Sequence, residues 1–126
     1  MPEPRLQEAV ALFNRRSFFR AHEVLEEVWR DVPEGDRALY ETLIRLATAL
    51  HLRLNRGGHR GTVNLLQQAL VRLEDLRPEA AGVDTAALYD DVATYVEHLR
   101  AEPGAAGWRE RFRVPRIRLV AVTSTP

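Results

Sequence analysis

Apolar residues recur every three or four positions along most of the chain, and the breaks in that rhythm divide it into five stretches. Leu6, Val10 and Phe13 mark one face of a first helix, which Pro4 is suited to open. Ser17 is placed to cap a second helix, and Asp36 a third. The third helix carries Tyr40, Leu43, Ile44, Ala47, Leu50 and Leu54 on one stripe, and Gly57 and Gly58 stop it. Val63, Leu66, Ala69, Leu70 and Leu73 line a fourth, which Pro78 ends. Asp84 caps a fifth, with Leu88, Val92, Tyr95, Val96 and Leu99 inward, closed by Pro103 and Gly104. The predicted helices cover 4–14, 17–30, 36–56, 60–77 and 84–100.

Beyond that the helical period fails. Trp108 to Phe112 could form one helical turn, with Trp108 as an anchor. Val114 to Val120 alternates weakly around Pro115, which predicts an extended arm lying on the bundle, and Thr123 to Pro126 should be loose. The connections are short, so successive helices should be antiparallel neighbours. The expectation is an all-α, antiparallel bundle of about five helices with an extended C-terminal arm over 108–126, all in a single domain spanning 1–126.

The second helix carries the chemistry. At about 100° per residue with His22 at zero, Trp29 falls near −20°, Phe18 near −40°, Leu25 near −60°, Glu26 near +40° and Phe19 near +60°. His22 and Glu26 are therefore expected within the apolar stripe, with Glu23 at its edge and Glu27 facing away. Burying an unpaired charge costs several kcal/mol, so partners are needed. The i,i+4 spacing pairs His22 with Glu26, and Tyr40 and Arg37 lie at matching distance across the turn.

Three roles follow. The group His22, Glu23, Glu26, Trp29, Arg37 and Tyr40 can be a structural polar network that sets the register of two helices. It can be a pocket for a small molecule or a partner protein, walled by Phe18, Phe19 and Leu25. Or His22, Glu23 and Glu26 can be a zinc-protease-like His-Glu-x-x-Glu helix of a metal-dependent hydrolase. Zinc wants at least three protein ligands. His51 is the obvious third after His22 and Glu26, but antiparallel pairing puts it some ~10 Å along the axis. His51 reads as a core or boundary residue, and His59 and His98 as surface ones. Phe13, Trp29 and Tyr95 read as packing residues.

The run Phe18-Phe19-x-Ala21-His22-Glu23-Val24-Leu25-Glu26-Glu27-x-Trp29 resembles the hallmark helix of family 309 of the domains of unknown function. The resemblance continues through Leu43 to His51 and Gly57 to Leu66, and Val114 to Leu119 is similar to that family's closing segment. It covers about residues 10–120. It implies a helical bundle and no particular activity. In the third helix the family tends to have Gln-Gly-x-Ile-Gln, where this chain has Glu41, Thr42, Leu43, Ile44 and Arg45.

Composition removes other chemistries. The chain of 126 residues has no cysteine and no lysine; its 18 basic residues are all arginine. Disulfides, thiolate sites, Schiff-base lysines and Walker-type phosphate loops are excluded. Gly57, Gly58 and Gly61 lack dinucleotide-loop spacing, and no cofactor is expected. No apolar run reaches the ~18 residues of a membrane span, and Met1 to Arg5 is polar, so a cytoplasmic protein is expected with no membrane partner. Net charge is zero, which disfavours general nucleic-acid affinity. Its distribution is uneven, however. Arg15, Arg16, Arg20, Arg53, Arg56 and Arg60 should gather at one end, a weak candidate site for an anion or RNA. Acidic residues should gather at the other, which also allows head-to-tail oligomers. The expectation is a helical binding or scaffold protein, leaning away from catalysis, with the hydrolase and the anion site as alternatives.

Overall fold

The computed structural model describes residues 3–58, 60–101 and 113–120. The expected turn over Trp108 to Phe112, the Trp108 anchor, the surface placement of His59 and the loose end at Thr123 to Pro126 lie outside them. Five helices follow in order: α1 (Pro4–Asn14), α2 (Phe18–Asp31), α3 (Glu34–Arg56), α4 (Arg60–Leu76) and α5 (Thr85–Ala101). Each packs on the next, so α3 lies between α2 and α4. That position explains its wide apolar arc. Tyr40, Leu43, Ala47, Leu50 and Leu54 are buried as the stripe requires, and Leu39, Leu46 and Ala49 are buried as well.

Helix ends follow local chemistry, with two departures. α3 starts at Glu34, with Pro33 rather than Asp36 at the cap position; Asp36 lies in the first turn, where its charge suits the helix dipole. Ser17 precedes α2 but makes no side-chain capping bond. Asp84 does cap α5, accepting from the Ala87 amide at 2.9 Å. α3 ends on Gly57 in the left-handed region, φ 68°, and the Gly58 amide donates back to the Leu52 carbonyl at 2.9 Å. α1 also ends on a left-handed residue, here Arg16, φ 67°, with the Ser17 amide donating to the Leu12 carbonyl at 2.9 Å.

Between α4 and α5 is a hairpin that the apolar rhythm did not announce. β1 (Glu79–Ala80) and β2 (Val83–Asp84) are antiparallel, Glu79 opposite Asp84 and Ala80 opposite Val83. The two turn residues, Ala81 and Gly82, both have positive φ, the geometry that suits tight two-residue hairpins. Residues 113–120 are extended, as expected of the arm, and lie beside this hairpin. Leu119 bridges Val83; the Asp84 amide donates to Arg118 O at 2.8 Å, and the Val120 amide to Gly82 O at 2.9 Å. Asn14 holds the arm from the other side: its Nδ2 donates to Ile117 O and its Oδ1 accepts from Ile117 N, both at 2.9 Å. Val114 and Ile117 are buried by this docking. No helix among the described residues is long and apolar enough to cross a membrane.

Tyr40 is buried near the start of α1. There Arg5 bonds Glu3 at 2.9 Å and Asp31 at 3.0 Å, which ties α1 to the end of α2 and holds the Glu3 carboxyl below the usual range. Burial, with Glu3 and Asp36 nearby, pushes the Tyr40 phenol up to about 12. The sign is that of a neutral form favoured by folding. The contribution is complete below the ordinary value near 10 and is lost as pH rises toward 12. Urea melts should therefore show up to about 2–3 kcal/mol of stability disappearing across that window. Tyr40→Phe should flatten that part of the slope; an equal alkaline slope in both proteins would contradict it.

Candidate functional site

α2 buries Phe18, Ala21, Leu25 and Val28. On the wheel those four centre roughly 80° from His22, because Ala21 and Val28 complete the stripe on the far side of Leu25. His22 is thereby moved to the edge, its side chain 28% exposed, and Glu26 into solvent at 50%. Both were expected within the stripe. His22 Nε2 and Glu26 Oε1 are 3.2 Å apart, a pair at i,i+4 that solvent screens to a few tenths of a kcal/mol. Glu23 is exposed.

The expected pocket walls are divided by the same rotation. Phe18 and Leu25 are core, and Phe18 meets Phe13 edge-to-face with ring centroids 5.1 Å apart. Phe19 is 55% exposed. Its ring lies between two imidazoles, 6.3 Å from His22 and 5.6 Å from His51. His51 in turn contacts Asn55, Nδ1 to Nδ2 at 2.7 Å. Phe19 thus spans the axial gap expected between the histidines. His98 is half-buried rather than on the surface, near Tyr95 at 6.2 Å.

Trp29 lies two turns farther along α2, half-buried. Its indole Nε1 donates to Glu41 Oε1 at 3.3 Å, and the Arg37 guanidinium lies over its ring at 5.0 Å. Arg37 therefore stacks on Trp29 instead of pairing with Glu26. Tyr40 is turned into the core beside Arg5 and Asp36, and among the described residues no hydrogen bond joins it to His22 or Glu26. Physically, α3 presents two sides at this level. Arg37, Glu41, Thr48, His51 and Asn55 share the side that borders the exposed edge of α2, whereas Tyr40 belongs to the buried side. The result is a ladder of side chains along the α2–α3 seam, with Trp29, Arg37 and Glu41 at one end and Phe19, His22 and His51 at the other.

His22, Glu26 and His51 do not make a metal centre: among the described residues no three His, Asp or Glu side chains are grouped to hold an ion. Among the arginines, Arg15, Arg16, Arg20, Arg56 and Arg60 are exposed. Arg53, expected with them, is 1% exposed, and its Nη1 donates to the Gly58 carbonyl at 3.4 Å. The long apolar stem fits between α3 and its neighbours, and the head serves the helix C-terminus.

The two helices that carry this ladder lie within a family match. Residues 6–65 match a domain of unknown function, DUF309. The chain carries a DUF309 domain. The DUF309 match covers α1, α2, α3 and the first turns of α4, ending short of the closing segment at Val114 to Leu119. An uncharacterised protein of Aquifex aeolicus is 33% identical over 95 residues, which is 75% of this chain and 27% of that protein. This chain thus aligns with about a quarter of the length of that relative. No solved structure matches.

Proposed function

We propose that this DUF309 protein is a non-enzymatic helical binding module whose partner is another protein or protein domain, received on the α2–α3 ladder. The observation that carries this is Phe19: a phenylalanine 55% exposed on the family's hallmark helix, held between two imidazoles. A large apolar ring in water with polar side chains around it is the form of an interface anchor. Trp29 with Arg37 stacked on it adds the residue types that interfaces favour. The Aquifex relative supports a protein partner, because there the similar region is a quarter of a longer chain and has a further polypeptide beside it.

A photo-crosslinking amino acid placed at Phe19 in native cells tests this. The control is the same group at Val71, which is 66% exposed on α4. The expected result is one dominant protein adduct from position 19 that is absent from position 71. Identical adduct patterns from both positions, or adducts only between copies of this chain, would overturn it.

A further inference from the structure

The Asn14–Ile117 bonds bring a distant stretch of chain against the α1–α2 turn, and a cleft of about 300 Å³ opens between them. Three arginines line it: Arg16 from the turn, Arg113 and Arg116 from the arm. Phe13, Val114 and Pro115 supply its apolar lining. Among the described residues none of the three guanidinium groups has an ion pair or a side-chain hydrogen bond. Asp91, a carboxylate beside the arm, is engaged otherwise: it accepts from the Arg116 amide at 3.3 Å and lies 3.9 Å from Arg118 Nη1.

Three cations that line one concavity, unpaired among the described residues, repel each other, an arrangement that a multiply charged anion relieves. Planar guanidinium forks match phosphate oxygens in pairs, and a dianion suits them better than a single carboxylate. α2 starts two residues after Arg16, and the partial positive charge of its first turn adds to the field at this end. The volume is at the small end for ligand pockets, which fits a phosphate group with a small organic body. Arg16 itself is notable because it occupies a left-handed backbone position, φ 67°, where the equivalent end of α3 has Gly57. Non-glycine residues held in such a conformation concentrate at ligand clamps.

The geometry points to a binding site for a phosphorylated small molecule, held by Arg16, Arg113 and Arg116. It is independent of the α2–α3 ladder, so either can fail without the other.

Pyrophosphate and inorganic phosphate are the probes, followed by amide NMR shifts of the full chain, with acetate and a short single-stranded RNA as comparison ligands. Saturable binding of pyrophosphate at one site is expected, with shifts centred on Ser17, Arg116 and Ile117. Arg16→Gly should melt where the parent does, since glycine takes this backbone conformation freely, yet bind about tenfold or more weakly. Arg113→Ala should bind more weakly as well. Shifts that grow linearly and spread over all exposed arginines would overturn the site. So would pyrophosphate affinity unchanged by Arg16→Gly, or RNA binding far tighter than pyrophosphate and indifferent to it.

Discussion

Phe18→Ala should cost about 3–5 kcal/mol of stability, while Phe19→Ala, one position along, should cost less than about 1 kcal/mol. The two rings are identical in chemistry and opposite in surroundings. Phe18 is sealed against Phe13 at the junction of α1 and α2, and its loss leaves a void that a helix pair cannot easily close. Phe19 is 55% exposed, with the His22 and His51 rings as its aromatic neighbours, so its removal leaves no sealed cavity. Chemical denaturation of both variants measures the contrast. Equal losses would mean that Phe19 is a packing residue, and the binding ladder would lose its anchor.

The second large effect is expected at Asn14. Asn14→Ala removes a donor and an acceptor that together satisfy both backbone groups of Ile117. Those groups lie where Val114 and Ile117 are buried, so water replaces the lost bonds only if the arm lifts. A loss of about 1–3 kcal/mol is expected, the ordinary cost of stranding buried polar groups. Hydrogen exchange should locate it: the Ile117, Asp84 and Val120 amides should exchange faster together, while α2 and α3 amides stay protected. Uniform acceleration over the whole chain would show instead that the arm and the bundle unfold as one.

The helices were legible because each repeats its apolar period over several turns, and recognisable signals mark where some begin or end, Asp84 at the start of α5 and Gly57 at the end of α3. The hairpin was not, since two residues per strand leave no period to read. α2 was found but turned too far. Counting Phe19 and Trp29 as inward by size, and passing over the small Ala21 and the second valine, Val28, shifted the stripe toward His22. The same shift made a buried centre of residues that form a surface ladder, and it drew Tyr40 to the wrong side of α3. Arg53 was misplaced by treating charge as a guarantee of exposure. The meeting of Arg16 with Arg113 and Arg116 has no local signature at all, because it depends on an asparagine bonded to a residue 103 positions away.

α3 buries one wide arc, part of it under α2 and part under α4, yet the DUF309 match ends after the first turns of α4. The matched stretch is thus three helices and the first turns of a fourth, so much of what covers one flank of α3 lies outside it. Here the rest of α4 covers that flank, and α5 packs on α4 in turn. A chain that carried the matched stretch alone would open to water the part of the α3 arc that the rest of α4 seals here.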